Sequence, residues 1–122
     1  MIYELNSYQN EFYTHFKEAI EDKTDLIYNS NAIDRGIGKT TIVNMVGYDC
    51  QAVGYEVYVL TPISCIEYYA GKRISDYDYD LRGIKRGNAV MLVDEADSSS
   101  DLFSKVCDFC AVSDIVMVGF AR

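Results

Sequence analysis

The chain is poor in histidine, proline and basic residues, and each shortage narrows what it can be. Against 19 acidic residues stand only 11 basic ones, a formal net charge of −8. That balance argues against an extended nucleic-acid-binding surface and leaves room for a local basic patch. No apolar run approaches the roughly 20 residues that span a bilayer, and no signal peptide opens the chain. The expectation is a cytoplasmic protein with no membrane segment. The four cysteines, Cys50, Cys65, Cys107 and Cys110, form no disulfide framework. Cys107-x-x-Cys110 has no second close pair and no nearby histidine to complete a zinc site. Its spacing puts both thiols on one helix face, where buried cysteines are expected. His15, the single histidine, reads as a polar position on the first helix.

What is present fits one globular domain. The 122 residues are 49% apolar and 25% charged, enough to bury one core. The most informative stretch is Ile33-Asp34-Arg35-Gly36-Ile37-Gly38-Lys39-Thr40-Thr41. The apolar run Leu26-Ile27-Tyr28 before it can be a buried strand, and Ile42 to Val46 reads as the first turns of a helix. Strand, glycine turn, Lys-Thr and helix are together the context in which a phosphate-binding loop is expected. Glycines let successive N–H groups face one anion, and the helix adds its positive N-terminus. In such a loop Gly36, Ile37, Gly38, Lys39, Thr40 and Thr41 bind the nucleotide, Lys39 reaches the outer phosphates, and the Thr40 hydroxyl helps hold magnesium. Strict spacing would put glycine at position 33, where Ile33 stands. The plainer alternative is Gly-Lys-Thr opening an ordinary helix.

A second stretch supports the first. Ala89-Val90-Met91-Leu92-Val93 is a continuous apolar run, as in buried parallel strands, and it ends in Asp94-Glu95-Ala96-Asp97. Ligands of open α/β sheets bind at such strand ends. Asp94 is placed to hold the metal and Glu95 to orient attacking water. The alternative is an acidic helix start after a core strand.

Around these motifs, Tyr8, Phe12, Phe16 and Ile20 form an amphipathic stripe over residues 8–21, with Ser7 as the expected N-cap. The helix after Lys39 is expected to run to about Val53 and stop at Gly54. Glu56 to Leu60 reads as a strand, followed by Thr61-Pro62 opening a helix through about Ala70. Regularity fails from Gly71 to Gly87. This segment carries Lys72, Arg73, Arg82, Lys85 and Arg86, which could contact phosphates, and the acidic run Asp76-Tyr77-Asp78-Tyr79-Asp80. Ser98-Ser99-Ser100 caps a helix marked by Leu102, Phe103, Val106, Cys107 and Cys110, and residues 114–120 read as the last strand. The expected fold is α/β, a three-layer, mostly parallel sheet of about four strands with flanking helices.

This order resembles the additional-strand P-loop ATPases, specifically the first RecA-like domain of superfamily 2 helicases and of viral large terminases. The resemblance covers nearly all of the chain. It implies ATP and magnesium as ligands, with Thr40 and Asp94 at the metal and Glu95 catalytic. Gln9, in Leu5-Asn6-Ser7-Tyr8-Gln9, resembles the glutamine that reads the adenine edge in those helicases. Arg35 resembles the P-loop arginine of terminases, which can stabilise charge in cis. Thr61-Pro62 resembles a segment touching the nucleic-acid backbone, and Gly119-Phe120-Ala121-Arg122 falls where the γ-phosphate is sensed. The resemblance also leads us to expect the Asp94 strand beside the strand leading to the phosphate loop. These 122 residues carry no second ATPase domain and no nuclease domain, so a single truncated domain spanning 1–122 is expected.

Three readings follow. The first is a small Mg-ATP-binding protein, a weak or partner-dependent ATPase of helicase or terminase type, phage-related, and in that case located in the host cytoplasm. Its site would be completed by a protein partner or by self-association. The second is an acidic, non-catalytic regulator or inhibitor, such as a phage anti-defence protein, that keeps the fold and binds a protein partner. The third is a small phosphotransferase, although no lid with paired arginines is recognisable.

Overall fold

The computed structural model describes residues 4–33, 36–62, 69–74 and 88–122. The first helix, α1 (Ser7–Asp22), is capped by Asn6, one residue earlier than expected. The Asn6 side chain accepts from the Gln9 N–H at 2.8 Å, and the Gln9 side chain accepts from the Asn6 N–H at 2.9 Å. This reciprocal pair satisfies two donors that a helix start leaves open. The helix buries Phe12, Phe16, Ala19 and Ile20, while Tyr8 stays exposed at the head of the stripe.

Strand β1 (Leu26–Asn29) leads into a short 3₁₀ turn (Ser30–Ala32), then α2 (Lys39–Ala52) and β2 (Glu56–Leu60). Next come β3 (Lys72–Ile74), β4 (Ala89–Ala96), α3 (Asp101–Ser113) and β5 (Val116–Ala121). Among the described residues the five strands form one parallel sheet in the order β1-β5-β4-β2-β3. The architecture is α/β in three layers. Val57, Val59, Val90, Leu92, Val116, Val118 and Phe120 face α1 and α2, whereas Tyr58, Leu60, Met91, Val93 and Met117 face α3. Phe12 and Phe16 each meet Tyr28 and Phe120 edge-on, with Phe16 and Phe120 centroids 5.4 Å apart.

Four further expectations change. Strand β5 lies between β1 and β4, so the Asp94 strand is not beside the strand leading to the glycine loop. Burial explains the order: β4 and β5 are covered almost throughout, as interior strands must be, whereas β1 is only half-buried. The sheet has five strands rather than about four, because Lys72–Ile74, expected to be irregular, pairs with β2 at Tyr58 to Leu60. The expected helix after Pro62 falls largely on 63–68, outside the described residues, and Tyr69 to Gly71 is not helical. Finally, β5 begins at Val116, because Asp114 adopts a left-handed conformation (φ 55°) that ends α3.

The connections position the site. After β1 the chain crosses to β2 through α2 on one face; after β4 it returns to β5 through α3 on the other. Right-handed crossovers require opposite faces for opposite directions. The loops leaving β1 and β4 therefore diverge and leave a crevice at the C-terminal edge of the sheet, where open α/β sheets bind ligands.

Candidate functional site

Gly38 opens α2 in the left-handed conformation, φ 85°. It has no side chain to cap the helix, so the first-turn N–H groups of Lys39, Thr40 and Thr41 receive no side-chain cap. The left-handed backbone is what favours glycine there, and a Cβ on Gly38 would in addition lie 2.6 Å from the mobile end of the Gln9 side chain, its Nε2. That same Nε2 donates to the Ile37 carbonyl at 2.6 Å. Both ends of the Gln9 amide are thus engaged, one in the α1 cap and one on the loop, and Gln9 acts as a strut between them.

The second wall comes from the end of β4. Strict alternation would send Asp94 and Glu95 to opposite faces of the sheet. A bulge between Asp94 and Ala96, with Glu95 at φ 61°, breaks that alternation. Asp94 continues the parity of Val90 and Leu92 towards α2, while Ala96 joins the α3 side. The extra residue, Glu95, is turned to the cleft, which is how bulges re-aim a side chain. A left-handed glutamate costs on the order of 1 kcal/mol, so the surrounding contacts must hold it there.

Those contacts converge. The Thr40 hydroxyl donates to Asp94 Oδ2 at 2.7 Å, and the buried Tyr69 hydroxyl donates to the same oxygen at 2.6 Å. Asp94 is fully buried, and its Oδ1 has no hydrogen-bond partner among the described residues. Burial raises the Asp94 pKa, against the pull of the Tyr69 and Thr40 hydrogen bonds; nearby Glu95 raises it further and Lys39 lowers it. Lys39 Nζ donates to Ser30 Oγ at 2.9 Å and to the Ser30 carbonyl at 3.2 Å, and lies 3.5 Å from Glu95 Oε1. The Ser30 hydroxyl in turn donates to Glu95. Arg122 Nε donates to the Glu95 carbonyl at 3.1 Å, tying the end of β5 to the bulge.

Ser30, Gly36, Gly38, Lys39, Thr40, Glu95 and Arg122 line an open cleft of about 610 Å³. Of the other expected residues, Ile37 packs partly against the α1–α2 core and Thr41 sits half-buried in the first turn of α2. Arg35 lies outside the described residues, as do Cys65, Asp76, Asp78, Asp80, Arg82, Lys85 and Arg86. Lys72 is exposed on the edge strand, and Arg73 Nε donates to the Thr61 carbonyl at 3.1 Å.

A larger cavity, about 760 Å³, opens among Lys23, Asp25, Cys110, Asp114 and Val116, around the starts of β1 and β5. Burial pushes its thiol, Cys110, up to about 12, which disfavours the reactive thiolate. Cys50 is likewise raised to about 11, and Cys107 is half-buried and raised by burial. His15 is exposed, its Nδ1 3.0 Å from the Tyr28 hydroxyl. No helix among the described residues is long and apolar enough to cross a membrane.

Two residues of the site carry no local sequence signal. Ser30 is one polar residue after a short strand, and its role depends on Glu95, 65 positions away. Tyr69 lies in a stretch that reads as helix. The chain matches no protein-family model, no curated protein and no solved structure.

Proposed function

We propose that this chain is a small Mg-ATP-binding protein of the P-loop class, a weak ATPase whose site is completed by a protein partner or a second copy. The observation that carries the reading is the 2.7 Å bond from Thr40 to Asp94, between residues 54 apart, with Lys39 beside it. An ordinary helix start has no reason to meet a buried aspartate.

The α2 N-terminus and Lys39 bind the phosphates, Lys39 exchanging Glu95 for a phosphate oxygen. Thr40 and Asp94 suit magnesium. The Thr40 proton is committed to Asp94, leaving the hydroxyl's lone pairs for a hard cation, and Asp94 Oδ1 is unpartnered among the described residues. No group of three or more His, Cys, Asp or Glu that could hold a metal occurs among the described residues. A magnesium ion held by Thr40 and Asp94 would draw its remaining ligands from water and phosphate oxygens. When bound, the ion neutralises charge on the β- and γ-phosphates. Glu95, released from Lys39, accepts a hydrogen bond from the attacking water and orients it.

One observation favours the regulator reading: the Lys39–Glu95 pair balances charge in the cleft without nucleotide. Calorimetric titration with a non-hydrolysable ATP analogue, with and without magnesium, separates the two. Magnesium-dependent binding that Lys39→Ala abolishes is the expected result. No binding at millimolar analogue would overturn the nucleotide reading and favour a scaffold that binds a protein.

A further inference from the structure

We infer that Tyr69 is a positioning residue for the metal carboxylate, fixing Asp94 so that one oxygen is held by protein hydroxyls and the other is left for the ion. The inference rests on the nucleotide-binding reading and extends it to a residue outside both sequence motifs. Tyr69 follows β2 in sequence and precedes β3, and only 6% of it is exposed. Its ring packs into the core shared by α1 and α2, which fixes where its hydroxyl points. That hydroxyl donates to Asp94 Oδ2 at 2.6 Å and lies 3.3 Å from Thr61 Oγ1.

Tyr69 and Thr40 donate to the same oxygen, Oδ2, and neither reaches Oδ1. Two donors from different elements, one on α2 and one ahead of β3, define the plane of the carboxylate better than either alone. A carboxylate held only by Thr40 could rotate and offer both oxygens to its neighbours. Thr40 itself is offered as a metal ligand, so it cannot position Asp94 independently of the ion. Tyr69 can, because its hydroxyl is buried, holds Asp94 Oδ2 and is not itself offered to the ion. Outer groups that orient a metal ligand typically contribute tenfold to a hundredfold to metal affinity.

The test is Tyr69→Phe, which removes the hydroxyl and keeps the ring in the core. Tyr58→Phe is the control: Tyr58 is 9% exposed on the opposite sheet face, and its hydroxyl donates to Glu56 at 2.9 Å. The non-hydrolysable ATP analogue is titrated by calorimetry across a magnesium series, and thermal midpoints are recorded for every variant. Tyr69→Phe is expected to raise the magnesium concentration for half-maximal binding on the order of tenfold. Its magnesium-free affinity should match wild type, and Tyr58→Phe should leave the magnesium midpoint unchanged. An unshifted midpoint in Tyr69→Phe, while Asp94→Asn still abolishes magnesium dependence, would overturn the inference and spare the nucleotide reading. Equal loss of affinity with and without magnesium would make Tyr69 a structural residue and also overturn it. Failure of wild type to bind the analogue in magnesium would overturn the nucleotide reading itself, and the inference with it.

Discussion

Replacing Glu95 with glutamine should tighten nucleotide binding while removing turnover, and the geometry sets the size of both effects. Glu95 Oε1 lies 3.5 Å from Lys39 Nζ, with the lysine side chain 13% exposed and the glutamate 31%. At an effective dielectric of about 20 the attraction is about 5 kcal/mol, an upper bound. Desolvation of both groups and partial exposure of the glutamate reduce the net worth to about 1 kcal/mol. A phosphate chain must displace this pair before it can use Lys39. The neutral amide of Glu95→Gln would no longer compete as a charge, yet its oxygen can still accept from Ser30. Affinity for the ATP analogue should therefore rise about fivefold, the equivalent of about 1 kcal/mol. On the proposed ATPase reading, turnover should fall on the order of a hundredfold or more, because the carboxylate assigned to orient water is lost. Calorimetry measures the first effect and steady-state phosphate release the second. Weaker binding by Glu95→Gln, or turnover preserved, would refute the roles given to Lys39 and Glu95.

Other perturbations probe the same frame. Asp94 has a raised pKa in the fold, so its protonated form is favoured there and that contribution is lost as pH rises above 3.8 and through the higher folded value. Asp94→Asn should accordingly raise the thermal midpoint at neutral pH, by an amount that shrinks as pH falls through that window, while abolishing magnesium dependence; a lowered neutral-pH midpoint would contradict the buried charge. Gly38→Ala forces a left-handed alanine against Gln9, and denaturant unfolding should show a loss of about 1–2 kcal/mol together with weaker nucleotide binding. Ser100→Ala removes the α3 cap, whose hydroxyl accepts from the Phe103 N–H at 3.1 Å; it should cost about 1 kcal/mol and leave nucleotide affinity unchanged.

Much of the α/β frame was legible because its signals are local. Glu56 to Leu60 is rich in β-branched and aromatic residues and is a strand end to end. Gly54, at φ 99°, stands just past the end of α2 as the sequence suggests. The continuous apolar runs ending at Val93 and Phe120 marked strands buried on both faces. Strand order was less legible, because the half-buried character of Leu26 to Asn29 emerges only when β5 takes the interior position. β3 was hidden for a different reason. Lys72-Arg73-Ile74 carries two charges and is three residues long, so it becomes a strand only because β2 offers it a free edge.

The candidate site divides in the same way. Lys39, Thr40, Asp94 and Glu95 stand in stretches whose spacing gives each a chemical role before any fold is known. Their meeting depends on the bulge at Glu95, a backbone event that Asp94-Glu95-Ala96 does not announce. Ser30 and Tyr69 contribute through contacts 65 and 25 positions away, beyond the reach of any local pattern.

Whether nucleotide occupies the cleft between the α2 N-terminus and the end of β4 is read directly by a backbone-amide NMR titration of the isotopically labelled protein with the magnesium complex of the ATP analogue. The largest shifts should fall on Gly36, Gly38, Lys39, Thr40 and Glu95, with Lys39→Ala removing them. Shifts confined to the cavity around Asp25, Cys110 and Asp114, or none at all, would contradict that occupancy.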